Sequence, residues 1–131
     1  MVFYKMNKQG KVWGETYEIF TRNNVSIHRI NVKKDSCCSK HYHQHKHNVF
    51  YVESGSIMVQ EWKMEYDLLD ETVLTAGQMC SVPPKNYHRF IGLEDSTVYE
   101  IYYVELDNND IFRDDIGQEI ISEGHIIGKK L

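Results

Sequence analysis

"SKHYHQHKHNVFYVESG", residues 39–55, sets a histidine at every second position from 41 to 47. Four of the chain's seven histidines fall here. A solvated loop has no need of them, and an apolar strand would avoid them. In an extended chain, positions i and i+2 share a face. His41, His43 and, by the same spacing, His45 are therefore expected to point together. Two imidazoles so placed are good ligands for a divalent transition metal. Taken alone, a His-x-His pair reads more readily as a polar surface strand. The stretch "GQMCSVPPKNYHRF" (77–90) changes that reading. It carries a glycine turn, a short strand, a Pro-Pro turn and then His88, a third imidazole able to close a site that His41 and His43 begin.

Around these stretches the hydrophobic period is two. "TYEIF" (16–20), "VSIHRINV" (25–32), "VFYV" (49–52), "SIMVQEW" (56–62), "DETVLTAG" (70–77) and "TVYEIYYVEL" (97–106) alternate and are rich in β-branched and aromatic residues. Turn chemistry separates them at "RNN" (22–24), "ESGS" (53–56), "PPKN" (83–86) and "LEDS" (93–96). Many short strands at near-regular spacing predict an all-β sandwich or barrel. The one candidate helix is short and lies in the polar tail after Asp107. With 131 residues the chain fits one domain spanning 1–131, with a barrel core over about 11–106 and a polar extension over 107–131.

Composition excludes several classes. The net charge of −4 argues against nucleic acid as the main partner. No apolar run approaches the roughly 20 residues that span a bilayer, so no membrane partner is expected. The opening lacks the pattern of a signal peptide. Three cysteines, two of them adjacent, argue against a disulfide framework and for reduced thiols in the cytoplasm.

The two histidine stretches resemble the paired motifs of the cupin superfamily. Gly55 sets the register of the first motif and places His41 and His43 on its His-x-His pair. Asn48 falls where the family carries a metal-binding glutamate. A register on His43 and His45 is also open, but the first leaves the usual four residues before the glutamate position. Gly77, Pro83 and His88 match the second motif, with Asn86 near its usual glycine. The resemblance implies a double-stranded β-helix, or jelly-roll barrel, and a metal held by His41, His43, Asn48 and His88. Zinc is the first expectation, with iron, manganese or nickel as alternatives. Asparagine at 48 either coordinates through its carbonyl oxygen or marks a relaxed, inactive site.

"KVWG" (11–14), "CSKHYH" (38–43) and "YEIYYVELDNNDIFRDDIG" (99–117) are similar to segments of the cupin domain in type II mannose-6-phosphate isomerases. That resemblance implies aldose–ketose isomerisation of a sugar or sugar phosphate. Such chemistry needs a Lewis acid, a proton shuttle and cations for the phosphate. His45, His47 and Glu100 are the candidate shuttles, and Lys85, Arg89 and Arg113 the candidate phosphate ligands. Cys37 stands where the isomerases usually carry an arginine. Two other classes stay open: a three-histidine metal-dependent dioxygenase, and a non-catalytic cupin that binds a sugar or small anion. Exposed sheet edges in a small barrel are commonly managed by pairing, so a homodimer is expected.

Overall fold

The structure is a computed structural model that describes residues 1–3, 7–63, 67–104, 110 and 112. The candidate helix of the tail and Arg113 lie outside the described residues. Nine strands are present among them: β1 (Asn7–Lys11), β2 (Gly14–Arg22), β3 (Val25–Val32), β4 (His47–Ser54), β5 (Ser56–Lys63), β6 (Leu68–Thr75), β7 (Met79–Val82), β8 (Tyr87–Gly92) and β9 (Ser96–Tyr103). Each alternating stretch of the sequence contributes a strand. The structure adds β8, which carries His88, and β1, an edge strand of "NKQGK" with no apolar side chain to betray it, held by its hairpin to β2. No helix among the described residues is long and apolar enough to cross a membrane.

All strand pairs are antiparallel. They form a six-stranded sheet, β1-β2-β3-β9-β4-β7, and a three-stranded sheet, β6-β5-β8. The sheets enclose one apolar core. Ile30, Val32, Phe50, Val52, Val82 and Val98 enter it from the large sheet, and Ile57, Val59, Leu74 and Phe90 from the small one. Burying each such side chain stabilises the fold by about 1.5–3 kcal/mol.

The same inward faces become polar toward one end of the barrel. On β4 the face that carries Phe50 and Val52 continues to Asn48, which is fully buried. On β8 it runs from Phe90 to His88, and on β9 from Val98 to Glu100. Aromatic rings separate the two halves. Phe50 packs against Phe90 at 5.9 Å and against the His88 ring at 6.2 Å, and Trp13 meets Phe90 edge-on at 4.9 Å. The apolar half supplies the stability on which the buried polar half draws.

Gly55 links the two sheets between β4 and β5. Its φ is +87°, and a Cβ there would sit 2.3 Å from Ser96 Oγ and 2.5 Å from the Asp95 carbonyl oxygen. Gly77 has a similar φ of +84° but faces open space. Backbone strain alone costs about 1–2 kcal/mol at either position. Gly77→Ala should therefore lower stability in urea by about that amount. Gly55→Ala should cost at least about 3 kcal/mol, because the overlap adds to the strain. Equal losses would show that the close approach at Gly55 is not a real constraint.

Candidate metal centre

Residues 42–46 are not a strand. His41 makes a single antiparallel bridge to His88, with hydrogen bonds from His41 N to His88 O (3.1 Å) and from His88 N to His41 O (2.8 Å). The chain then turns. Lys85, in the left-handed region at φ 76°, donates its backbone N–H to the His43 carbonyl at 2.7 Å. Strand alternation is therefore not what aligns His41 with His43. The bridge to β8 and the tie to the Pro-Pro turn do so instead.

The result is convergence of His41, His43 and His88. One ring nitrogen from each lies within 4.8 Å of the other two. The rings meet at centroid distances of 5.0, 4.7 and 5.3 Å. His41 Nδ1 lies 2.8 Å from the Ser39 carbonyl, and His88 Nδ1 lies 3.0 Å from the Asn86 carbonyl. A carbonyl can only accept, so each Nδ1 carries the proton and each Nε2 is left as a lone-pair donor. This is the usual way in which a ring is oriented for metal ligation. Burial lowers the pKa of His88, and burial with the nearby Lys46 charge pushes His43 down to about 4. Both imidazoles are thus held neutral, the form a metal needs.

Asn48 completes the cluster. Its Oδ1 lies 3.0 Å from His88 Nε2. With the His88 proton on Nδ1, two acceptors face one another in a buried site. Asn48 Nδ2 and His43 Nε2 are also buried without a partner. A half-turn of the amide would hand His88 a donor. A cation would instead use both acceptors, since two adjacent ligands at about 2.1 Å from one ion lie about 3 Å apart. The donor set of three imidazoles and an amide carbonyl therefore fits a divalent metal.

The cluster borders a cavity of about 620 Å³ lined by His41, Trp13, His28, Cys38, Glu100 and Tyr102, among others. Glu100 is 8% exposed, and burial raises its pKa to about 7 against the opposing charges of Lys46 and Lys11. His28 is the cross-strand neighbour of Glu100 and bonds Ser26 Oγ through Nε2 at 2.7 Å. It faces the cavity.

The other predicted site residues are placed elsewhere. His47 leaves the opposite side of β4 from Asn48 and stacks on Tyr103 at 4.8 Å. His45 is exposed in the turn before β4. Arg89 alternates with His88 and so points out of the barrel, where its Nε donates to Gln60 Oε1 at 2.6 Å and its guanidinium lies over Trp62. Lys85 is exposed and gives the site its backbone amide. None of these four side chains is brought to the histidine cluster. Lys46, Lys11 and Tyr102 were missed. For Tyr102 the signal was present, because the spacing in "VYEIYY" puts it on the same face as Glu100. Cys38 is inert, its thiol pushed up to about 12 by burial, and Cys37 and Cys80 are also free.

The sequence model of the cupin family matches residues 8–120. The chain belongs to the cupin family. No curated protein matches it. Among solved structures, the cupin chain is similar to KdgF from Halomonas sp., with 16% identity and a TM-score of 0.65 over 78% of this chain and 91% of that one. CapF, a capsular polysaccharide assembling protein from Staphylococcus aureus, gives 19% identity and a TM-score of 0.66 over 82% of this chain and 31% of that one. An oxalate decarboxylase from Bacillus subtilis, described for its Mn(II) centres, gives 16% and 0.68 over 82% and 30%. The cupin thus spans about a third of the latter two. These likenesses establish the jelly-roll fold, and the specific likeness to mannose-6-phosphate isomerases is not among them.

Glu100 gives the site a pH signature. Below pH 4.5, the ordinary value, its carboxyl is protonated in both folded and unfolded chains. Between 4.5 and about 7 the unfolded chain ionises while the folded one keeps its proton, so stability falls as pH rises. Above 7 the cost is constant. In chelator-treated protein, Glu100→Gln should gain stability relative to the parent across this window, reaching about 3 kcal/mol. Urea titrations at pH 4.5, 6 and 8 read the gap. A gap that does not widen would place Glu100 in contact with water.

Proposed function

We infer that this cupin is a divalent-metal enzyme that moves protons on a small hydroxycarbonyl compound, in the manner of an aldose–ketose isomerase. The observation that carries the reading is Glu100, a buried carboxyl poised near neutrality in the cavity that His41 borders. A general acid–base group is most effective when its pKa lies near the working pH. The resemblance of "KVWG" and "CSKHYH" to mannose-6-phosphate isomerases supports the same reaction class.

His41, His43, His88 and Asn48 would hold the metal, with zinc or manganese as the first choices. Bound there, it supplies a Lewis acid that polarises the substrate oxygens. Glu100, as carboxylate, takes the proton from the carbon beside the carbonyl, and the C–H electron pair becomes the C=C bond of an enediol. The Glu100 carboxylic acid then returns the proton to the neighbouring carbon. A hydroxyl proton passes between the two oxygens, so atoms and electrons balance with no oxidant. Trp13 and Phe90 give the cavity an apolar wall beside Glu100. His28 sits across from Glu100 and can relay the hydroxyl proton. CapF, named for capsular polysaccharide assembly, lends support to a carbohydrate substrate.

The test is turnover of mannose 6-phosphate and fructose 6-phosphate by zinc- and manganese-loaded protein in D2O. Interconversion with deuterium on carbon is expected. Glu100→Gln should lower kcat by about 10²–10⁴-fold at unchanged metal content. Oxygen consumption without interconversion would instead favour the three-histidine dioxygenase. Ligand binding with neither would leave a binding cupin.

A further inference from the structure

Beside the metal-site cavity lies a smaller one of about 240 Å³, lined by Arg22, Asn23, Asn24, Ser26, Lys46 and Tyr102, among others. Among the described residues that line it, none is acidic. The two cavities share Tyr102, and the Ser26–His28 hydrogen bond of 2.7 Å runs from one to the other. The Lys46 ammonium stands 3.9 Å from the centroid of the Tyr102 ring, and the same ring meets His43 edge-on at 5.1 Å. Lys46 is therefore one aromatic ring removed from a metal-site imidazole. Among the described residues it has no ion-pair partner. Its charge reaches into the main cavity, where it disfavours protonation of His28, His43 and Glu100.

We propose that this annex seats the anionic group of the substrate, a phosphate or carboxylate on a small hydroxycarbonyl compound whose other end lies at His41, His43 and His88. Lys46 is its principal charge partner. The inference rests on the isomerase reading for the identity of the other end, but not for the anion itself. An ammonium over an aromatic face with no ion-pair partner among the described residues, in a cavity whose described lining holds no carboxylate, favours an anion by both charge and hydrogen bonding. Arg22 adds a second positive charge to the same wall. The Asn23–Asn24 turn and Ser26 add hydrogen-bonding groups. A volume of about 240 Å³ suits a phosphate or carboxylate, while the sugar body occupies the larger cavity. This arrangement replaces the roles first expected of Lys85 and Arg89.

The experiment is calorimetry on manganese-loaded protein with mannose, mannose 6-phosphate and mannuronate. The wild type should bind one of the two anions at least about tenfold more tightly than mannose. The tighter anion names the group. Lys46→Met should reduce that preference to less than about threefold at unchanged metal content, and Lys46→Arg should retain most of it. Arg89→Met, on the outer wall, should leave it intact. A preference that survives in Lys46→Met, or none in the wild type, would overturn the proposal. A preference that depends on Lys46 in a protein that interconverts no sugar would leave the anion seat standing and remove the isomerase reading alone.

Discussion

Two backbone hydrogen bonds between His41 and His88 are the constraint on which the site depends. They join a loop ahead of β4 to the start of β8, so that ligands from distant parts of the chain share one end of the barrel. Without that bridge, His43 would be tied to the His88 segment only through the Lys85 amide. The Lys85 amide holds the loop from the other side through the His43 carbonyl. The carbonyls of Ser39 and Asn86 then orient two of the rings through their Nδ1 protons. The main chain thus does most of the positioning, which makes the side-chain donors available for an ion.

The barrel divides its interior between stability and chemistry. Ile30, Val52, Ile57 and Val98 are almost wholly excluded from water at one end. Asn48 and His88 are as deeply excluded at the other, where Glu100 is also buried. Buried polar groups without partners cost about 1–3 kcal/mol each, and Asn48 Nδ2 and His43 Nε2 are such groups. A cation bound by His43 Nε2 and Asn48 Oδ1 would turn the His43 part of that cost into binding energy. Asparagine in place of a carboxylate leaves the loaded centre with its full positive charge. Such a centre would suit an electron-rich oxygen, with the proposed anion seat at Lys46 set apart from it.

The sheets were legible because their strands bury one face. The alternation in "VSIHRINV" and "TVYEIYYVEL" matches β3 and β9 closely. β1 was not legible, since "NKQGK" buries nothing and exists by pairing alone. The histidine cluster was found for a partly mistaken reason. The period of two pointed at His41 and His43, but their alignment comes from a bridge and a turn. The same period drew attention to His45 and His47, which the structure puts in an exposed turn and on the outer face of β4. Arg89 misled because closeness in sequence to His88 means the opposite face on a strand. Lys46 went unnoticed among the histidines that flank it; only the folded chain shows its ammonium over Tyr102.

The central claim is that His41, His43, His88 and Asn48 bind one divalent ion together. X-ray absorption spectroscopy on protein loaded with one equivalent of zinc tests it most directly. The account predicts three imidazole nitrogens at about 2.0–2.1 Å and at least one oxygen in the first shell. In His88→Ala the count should drop to two imidazoles. A wild-type centre with two or fewer imidazoles, or one with sulfur from Cys37 or Cys38, would contradict it.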